Sequence, residues 1–489
     1  MTWGIPDHYG GMTSAILRRS AGFAAAGAPV SILTFDDRLD TGDLVTRLRA
    51  RGELAEGVDV LHLWDWLAVN PVRPRPPLPE FRPIDPRGAV PIDGRIEEFE
   101  LAGVVRRREV RSPDGEVLQV DRYRPDGSLL ASDLRADGER PRSVVVCTTD
   151  GSPVAGWSSM WGLYRHWLDR ITAGRRSMMI VDSKTAARFM TGYTRGHVAT
   201  VHLLHNAHRS GSGEPGSGLR ASRRDVLQRA SDFDAVVVLT ERQRDDLASD
   251  LGSAVTIEVI PNAMPIEQLV DAPLGRPVDQ GVMLASLTMR KRVGHATAAA
   301  AGAGTRLDVY GEGPERDSVR ARIEDLGLAQ KVRLHGHHPD AALAFRRSSF
   351  SLLTSTFEGA PLVLVESMAA GCIPIAYDIR YGPGDMIRDG IDGFLVPPDD
   401  VEQMAARIRG LVEMREGRRR RMRRAARRSA SRYASARVAA RWGILFADIA
   451  QRRWPAAQRA SLPSRVARRL RRAWRDVAIP DIERRPSSG

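Results

Sequence analysis

The strongest constraint on this chain lies in residues 349–376. There an apolar stretch meets Phe357-Glu358-Gly359-Ala360-Pro361-Leu362, a second apolar run of helix length follows, and Gly371-Cys372-Ile373-Pro374 leads into a third. Residues 349–354 read as a buried strand. Pro361 suits the first turn of a helix, Gly371 suits its C-terminal cap, and residues 373–377 read as the next strand. Glu358 therefore stands where a strand ends. In a parallel α/β sheet, ligands gather at that carboxyl edge beside helix N-termini whose free N–H groups favour phosphate. Glu366, eight positions on, is the only charged residue in 362–370. If buried, its carboxylate needs a polar partner, and a ribose or sugar hydroxyl would serve.

A chain of 489 residues is long enough for two or three domains with real cores. Its formal net charge of +13 points to an anionic partner: nucleotide, phosphate polymer, membrane surface or nucleic acid. Lysine occurs only at Lys184, Lys291 and Lys331, with arginine elsewhere, so each surviving lysine merits notice. Cys147 and Cys372 are the only cysteines and sit in apolar, strand-like surroundings. No disulfide framework or zinc site is expected, and a reducing, cytoplasmic compartment is. No signal peptide or membrane-spanning run is read in the chain, so membrane association is expected to be peripheral.

Gly10 and Gly11 precede a helical pattern over 12–26, with a strand at 30–34, giving a strand-loop-helix-strand opening whose first strand has only residues 1–5 to occupy. A Pro-rich linker runs from 73 to 91. Runs at 96–100, 104–111, 117–123 and 128–135, separated by Asp-Gly turns, indicate an antiparallel meander. Strands at 143–148 and 178–182 around a Trp-rich helix at 157–171 then read as a return to α/β rhythm. The strand at 198–204 ends in His205-Asn206-Ala207-His208, which places two histidines at a cleft-facing edge. His202, His205 and His208 lack the further carboxylate that a metal site would need, so no metal is expected.

The Glu-Gly-x-Pro turn, the helix and the Gly-x-x-Pro turn resemble the E-x7-E motif of retaining glycosyltransferase family 4. The resemblance runs through nearly the whole chain and is densest over 281–396. It implies a GT-B fold, α/β, with two Rossmann-like domains facing a cleft and an antiparallel β insertion in the first. The domains are expected at 1–262, with the insert at about 92–140, and at 263–430. A helix at 431–454 would return to the first domain, and a basic tail would cover 455–489. The insert is similar to that of poly(glycerol-phosphate) α-glucosyltransferases and adhesin N-acetylglucosaminyltransferases, where it serves acceptor binding or contact between subunits. Tyr381-Gly382-Pro383 matches the wording of that teichoic-acid branch.

The same resemblance distributes roles. Glu358 positions sugar hydroxyls and Glu366 holds the ribose, with Gly359, Pro361 and Leu362 forming the turn at the donor. Lys291 matches the lysine that clamps the donor diphosphate. Ser286 stands where an arginine is expected, and Arg290 or Arg292 could restore the charge. Val332 and Leu334 lie where relatives pair with the base, and Gly311 follows the second strand of that domain. Gly10 and Gly11 form the acceptor or phosphate loop. His205 or His208 steadies the sugar near the reacting carbon. The implied activity is transfer of glucose or N-acetylglucosamine from a UDP-sugar to a cell-envelope acceptor such as a polyol phosphate, with no cofactor beyond that co-substrate. Two other readings are a catalytically impaired homologue that binds acceptor as a partner subunit, and a polyanion-binding protein. A basic helix at 464–474 is suited to an anionic membrane surface. Specific nucleic-acid binding lacks a stacking platform or recognition motif.

Overall fold

In a computed structural model, residues 1–74, 95–136, 141–211, 217–266 and 276–455 are described. The Pro-rich linker from 75 onward and the basic tail beyond 455 lie outside the described residues. The chain forms two compact units, one of residues 1–8 and 30–200, the other of residues 9–29 and 201–489.

In the first unit, strands Val30–Thr34 and Val58–His62 pair in parallel. Residues 1–5 are too few for the expected strand. They run beside Val30–Thr34 through isolated bonds, Thr2 N–H to Leu33 O at 3.1 Å and Phe35 N–H to Trp3 O at 2.8 Å. Phe35 packs edge-on against Tyr164, Trp167 and Phe189, and this aromatic cluster joins the loop to helices Met160–Thr172 and Lys184–Met190. The meander is larger than the sequence pattern indicates. Its six antiparallel strands are Arg95–Leu101, Val104–Arg111, Val117–Tyr123, Leu129–Leu134, Ser143–Cys147 and Pro153–Trp157, in that order. The strand at 143 thus belongs to the meander rather than to a renewed α/β rhythm, since Val144 pairs with both Asp133 and Trp157. An apolar run alone does not say which partner it takes.

The second unit holds the sheet that carries Glu358. Its parallel strands run in the order Val332–Gly336, Arg306–Tyr310, Gln280–Leu284, Phe350–Leu353, Ile373–Tyr377, Phe394–Val396. Both faces are covered, which is why strands Phe350–Leu353, Ile373–Tyr377 and Phe394–Val396 read as largely apolar runs. Met283, Leu352 and Ile375 enter one core, whereas their neighbours Val282, Leu353 and Ala376 enter the other with Leu364, Val365 and Met368 of helix Leu362–Ala369. Gly371, at φ +68°, closes that helix in the left-handed region that favours glycine.

The arginine run does not merely precede the last helix; it forms helix Glu416–Ala430. It is not all solvated. Arg423 is wholly buried and donates to Ser349 Oγ at 2.9 Å, and Arg427 donates to Ala370 O at the end of Leu362–Ala369. Helix Ser435–Arg453 packs on Gly11–Ala25, with Trp442 edge-on to Phe23. Among the described residues no helix is long and apolar enough to cross a membrane.

Candidate functional site

Strands Gln280–Leu284 and Phe350–Leu353 are parallel neighbours, so the loops after them emerge side by side at one edge. Backbone and side-chain bonds tie these loops together. Thr354 Oγ1 donates to the carbonyls of Lys291 and Arg292 at 2.8 and 3.0 Å, and Thr356 N–H donates to Arg290 O at 2.9 Å. The consequence is a compact charged centre. Glu358 Oε1 accepts from Arg290 Nη1 at 2.8 Å and from Lys291 Nζ at 2.5 Å. The carboxylate is only 9% exposed. Burial alone would push its pKa up, but the Lys291 and Arg290 charges outweigh this and hold it below the ordinary carboxylate value. Burial pulls the Lys291 ammonium down against the opposing pull of Glu358.

Arg292 goes elsewhere. It adopts a left-handed conformation at φ +46° and pairs with Asp399. Ser286 is exposed just past Gln280–Leu284. The two cations at Glu358 are therefore Lys291 and Arg290.

The Glu358 turn is fitted against the His205 loop. A Cβ on Gly359 would lie 2.1 Å from His205 O, so only glycine permits this approach. The Tyr381 N–H donates to Glu358 O at 3.1 Å, and Gly382, at φ +111°, lies where a Cβ would strike Pro361. His205 is buried at this junction. His208 is wholly buried, stacks on Tyr381 with ring centroids 5.6 Å apart, and places Nε2 3.1 Å from Asp250. Burial lowers its pKa, against the opposing effect of Asp250. His202 is also buried and stacks on Phe233. Among the described residues no cluster of His, Cys, Asp or Glu is arranged to hold a metal.

Glu366 points from helix Leu362–Ala369 with its side chain 15% exposed and Arg18 Nη2 3.7 Å from Oε1. Burial raises its pKa, and Arg18 only partly opposes this. Arg18 was not read as a site residue; the signal was its place on the helix that follows the glycine pair. Gly10 caps that helix at φ −97°, and a Cβ there would meet nothing within 4 Å. On Gly11 it would lie 3.9 Å from Leu362 Cδ1. Neither strain nor crowding requires glycine at position 10. Gly311 differs: a Cβ there would fall 1.9 Å from Ala285 O, so it is demanded by loop packing. Val332 is buried in the core, while Leu334 is partly buried, and their strand is the edge strand of its sheet.

Sequence pattern also missed a network that braces the loop. Asp246 accepts from Tyr381 Oη at 2.7 Å and pairs with Arg209 at 3.0 Å and with Arg380. Arg209 also pairs with Asp250 at 2.9 Å. No spacing rule links residues so far apart in the chain.

These elements define the fold of the GT-B glycosyltransferases, to which the solved structures below are similar. Residues 279–429 match the Glycosyl transferases group 1 family. An exopolysaccharide phosphotransferase of Streptomyces coelicolor is 36% identical over 303 residues, covering 60% of this chain but 31% of that protein. The chain thus spans about a third of that relative. The poly(ribitol-phosphate) α-N-acetylglucosaminyltransferase of Staphylococcus aureus is 22% identical over 82% of this chain and 90% of its own length. Crystal structures of TarM are similar throughout. One, of an S. aureus mutant in complex with fondaparinux, α-GlcNAc-glycerol and UDP, has a TM-score of 0.68 at 19% identity over 91% of this chain and 98% of that one. Another has a TM-score of 0.75 at 20% identity over 91% and 97%.

Proposed function

We propose that this protein is a retaining glycosyltransferase of family 4 that moves glucose or N-acetylglucosamine from a UDP-sugar to a polyol-phosphate acceptor of the cell envelope. The observation that carries the reading is the sharing of Glu358 Oε1 by Lys291 and Arg290 at the carboxyl edge of a parallel sheet. Two cations held there can neutralise charge that develops on a departing diphosphate, which is worth most where water is excluded. Arg290 takes the place of the cation absent at Ser286. Glu358 orients the sugar hydroxyls, Glu366 the ribose, and His205 the sugar near its reacting carbon. With the phosphate oxygen taking the acceptor proton on the same face, the anomeric configuration is kept. The helix that Gly10 opens has no side-chain cap, so its first N–H groups are offered to phosphate.

Incubation with labelled UDP-glucose or UDP-N-acetylglucosamine and a poly(glycerol phosphate) or poly(ribitol phosphate) acceptor tests this. Transfer to the polymer is expected. Ser286 favours a second reading, an acceptor-binding partner subunit without turnover. Tight polymer binding with no consumption of any nucleotide sugar would select it.

A further inference from the structure

In the first unit, the meander meets the loop after Val30–Thr34 and the helix Leu63–Val69 in a small, solvent-open cleft. Asp37, Trp64, Arg106, Arg107, Arg122 and Tyr123 are among its lining residues. Their hydrogen bonds leave a one-sided remainder. Both Asp37 oxygens are taken by Arg122, at 2.6 Å from Nε and 2.9 Å from Nη2. Asp37 O accepts from Arg107 at 3.3 Å, Tyr123 O from Arg106 at 3.1 Å, and Tyr123 Oη from Arg108 at 3.0 Å. Those acceptors are engaged, and the Asp65 carboxylate, which also lines the cleft, lies 3.2 Å from His62 Nδ1, whereas the buried Arg122 Nη1 and Trp64 Nε1 have no hydrogen-bond partner.

The Arg122 side chain is 8% exposed, and its guanidinium lies 4.0 Å from the Trp64 ring centroid, which fixes both groups by a cation–π contact. A buried N–H left unpaired is destabilising. Water can also accept from these donors, but through an uncharged oxygen that makes the weaker hydrogen bond. An oxyanion only accepts, and arginine binds it strongly.

We propose that this cleft is a subsite for a phosphate group of the acceptor polymer, bound through Arg122 Nη1 and Trp64 Nε1 with Arg106 and Arg107 supplying positive charge. The assignment of that phosphate to an acceptor rests on the polyol-phosphate transferase reading. The site lies wholly in the first unit and shares no residue with the Glu358 centre, so its loss should change acceptor affinity without changing donor chemistry.

Calorimetric titration of the full chain with inorganic phosphate, a short poly(glycerol phosphate) and glycerol tests this, alongside Trp64→Phe and Arg106→Gln. Trp64→Phe keeps the ring under Arg122 and deletes only the N–H. It is expected to weaken polymer binding about ten-fold, the effect of one hydrogen bond to a charged group, while UDP-sugar hydrolysis without acceptor stays unchanged. Arg106→Gln should weaken binding as well, and glycerol should give no heat. Equal polymer affinity in the wild type and both variants overturns the proposal, as does equal affinity for inorganic phosphate and polymer. Donor hydrolysis with no phosphate binding overturns this site alone. Variant-sensitive polymer binding without any donor turnover upholds the site and removes the transferase reading.

Discussion

The carbonyl oxygen of His205 lies where a Cβ on Gly359 would come within 2.1 Å of it. Glu358 and the histidine loop are thus kept at a backbone-to-backbone distance that only glycine allows. Gly359→Ala must move one loop, and overpacking of this kind is destabilising by about 1–3 kcal/mol. The melting temperature should fall, and turnover should fall further than stability explains because Glu358 is displaced. Unchanged thermal melting and unchanged turnover would show that the loops yield freely.

Glu358 is both a proposed sugar ligand and the counter-ion of Lys291 and Arg290. Glu358→Gln removes the negative charge and releases both cations toward a diphosphate. Donor KM should therefore hold or decrease while kcat drops. Lys291→Ala should do the reverse to leaving-group stabilisation, with kcat down by about 10²–10³. Steady-state kinetics with saturating acceptor separates the two, and parallel losses in KM alone would contradict both assignments.

His205 and His208 are three residues apart, but their surroundings differ. His208 is stacked on Tyr381 and bonded to Asp250, an arrangement suited to bracing the loop. Tyr381→Phe keeps the stack and removes the bond to Asp246, with an expected loss of about 1–2 kcal/mol in stability. His208→Asn should likewise act mainly on denaturant midpoint, and His205→Ala mainly on kcat. The opposite pattern would exchange their roles.

The pattern around Glu358 was legible because each local signal agreed with the fold: turn glycines, a proline at the helix start, and apolar strands buried on both faces. Lys291 was legible as one of three lysines in an arginine-rich chain. What could not be read were partners chosen in three dimensions. Ser143–Cys147 has the same apolar character in a meander as in a parallel sheet, and only its ladder with Leu129–Leu134 decides. Arg290 and Arg292 are equivalent by spacing, yet the left-handed turn at Arg292 sends one toward Glu358 and the other to Asp399. Arg18 and Asp246 act across distances in sequence that no periodicity reports.

Glu366 is half-buried with one ion-pair partner, Arg18 at 3.7 Å, and the loss of solvent raises its pKa more than Arg18 lowers it. An acid whose folded pKa is raised favours the folded state when protonated, and that advantage is lost as pH rises through the folded pKa. Glu366→Gln should therefore be at least as stable as the wild type at pH 8, with the difference closing toward pH 4. Its donor affinity should nevertheless fall, by about ten-fold if one hydrogen bond to ribose is weakened. A destabilised variant with normal UDP binding would remove Glu366 from the site.

His62 offers the opposite sign. Burial would lower its pKa, but Asp36 and Asp65 outweigh that and raise it to about 9. Its Nδ1 lies 3.2 Å from Asp65, and its Nε2 lies 2.9 Å from Asp36 O. A base whose folded pKa is raised contributes stability that is full below its unfolded value near 6.5 and lost as pH rises through the folded value. The first unit should thus lose roughly 3 kcal/mol between pH 6.5 and pH 9 from this residue alone. Urea unfolding across that range should show the decline in the wild type and a flatter profile in His62→Gln. Parallel profiles would mean that His62 is not held protonated by its two aspartates.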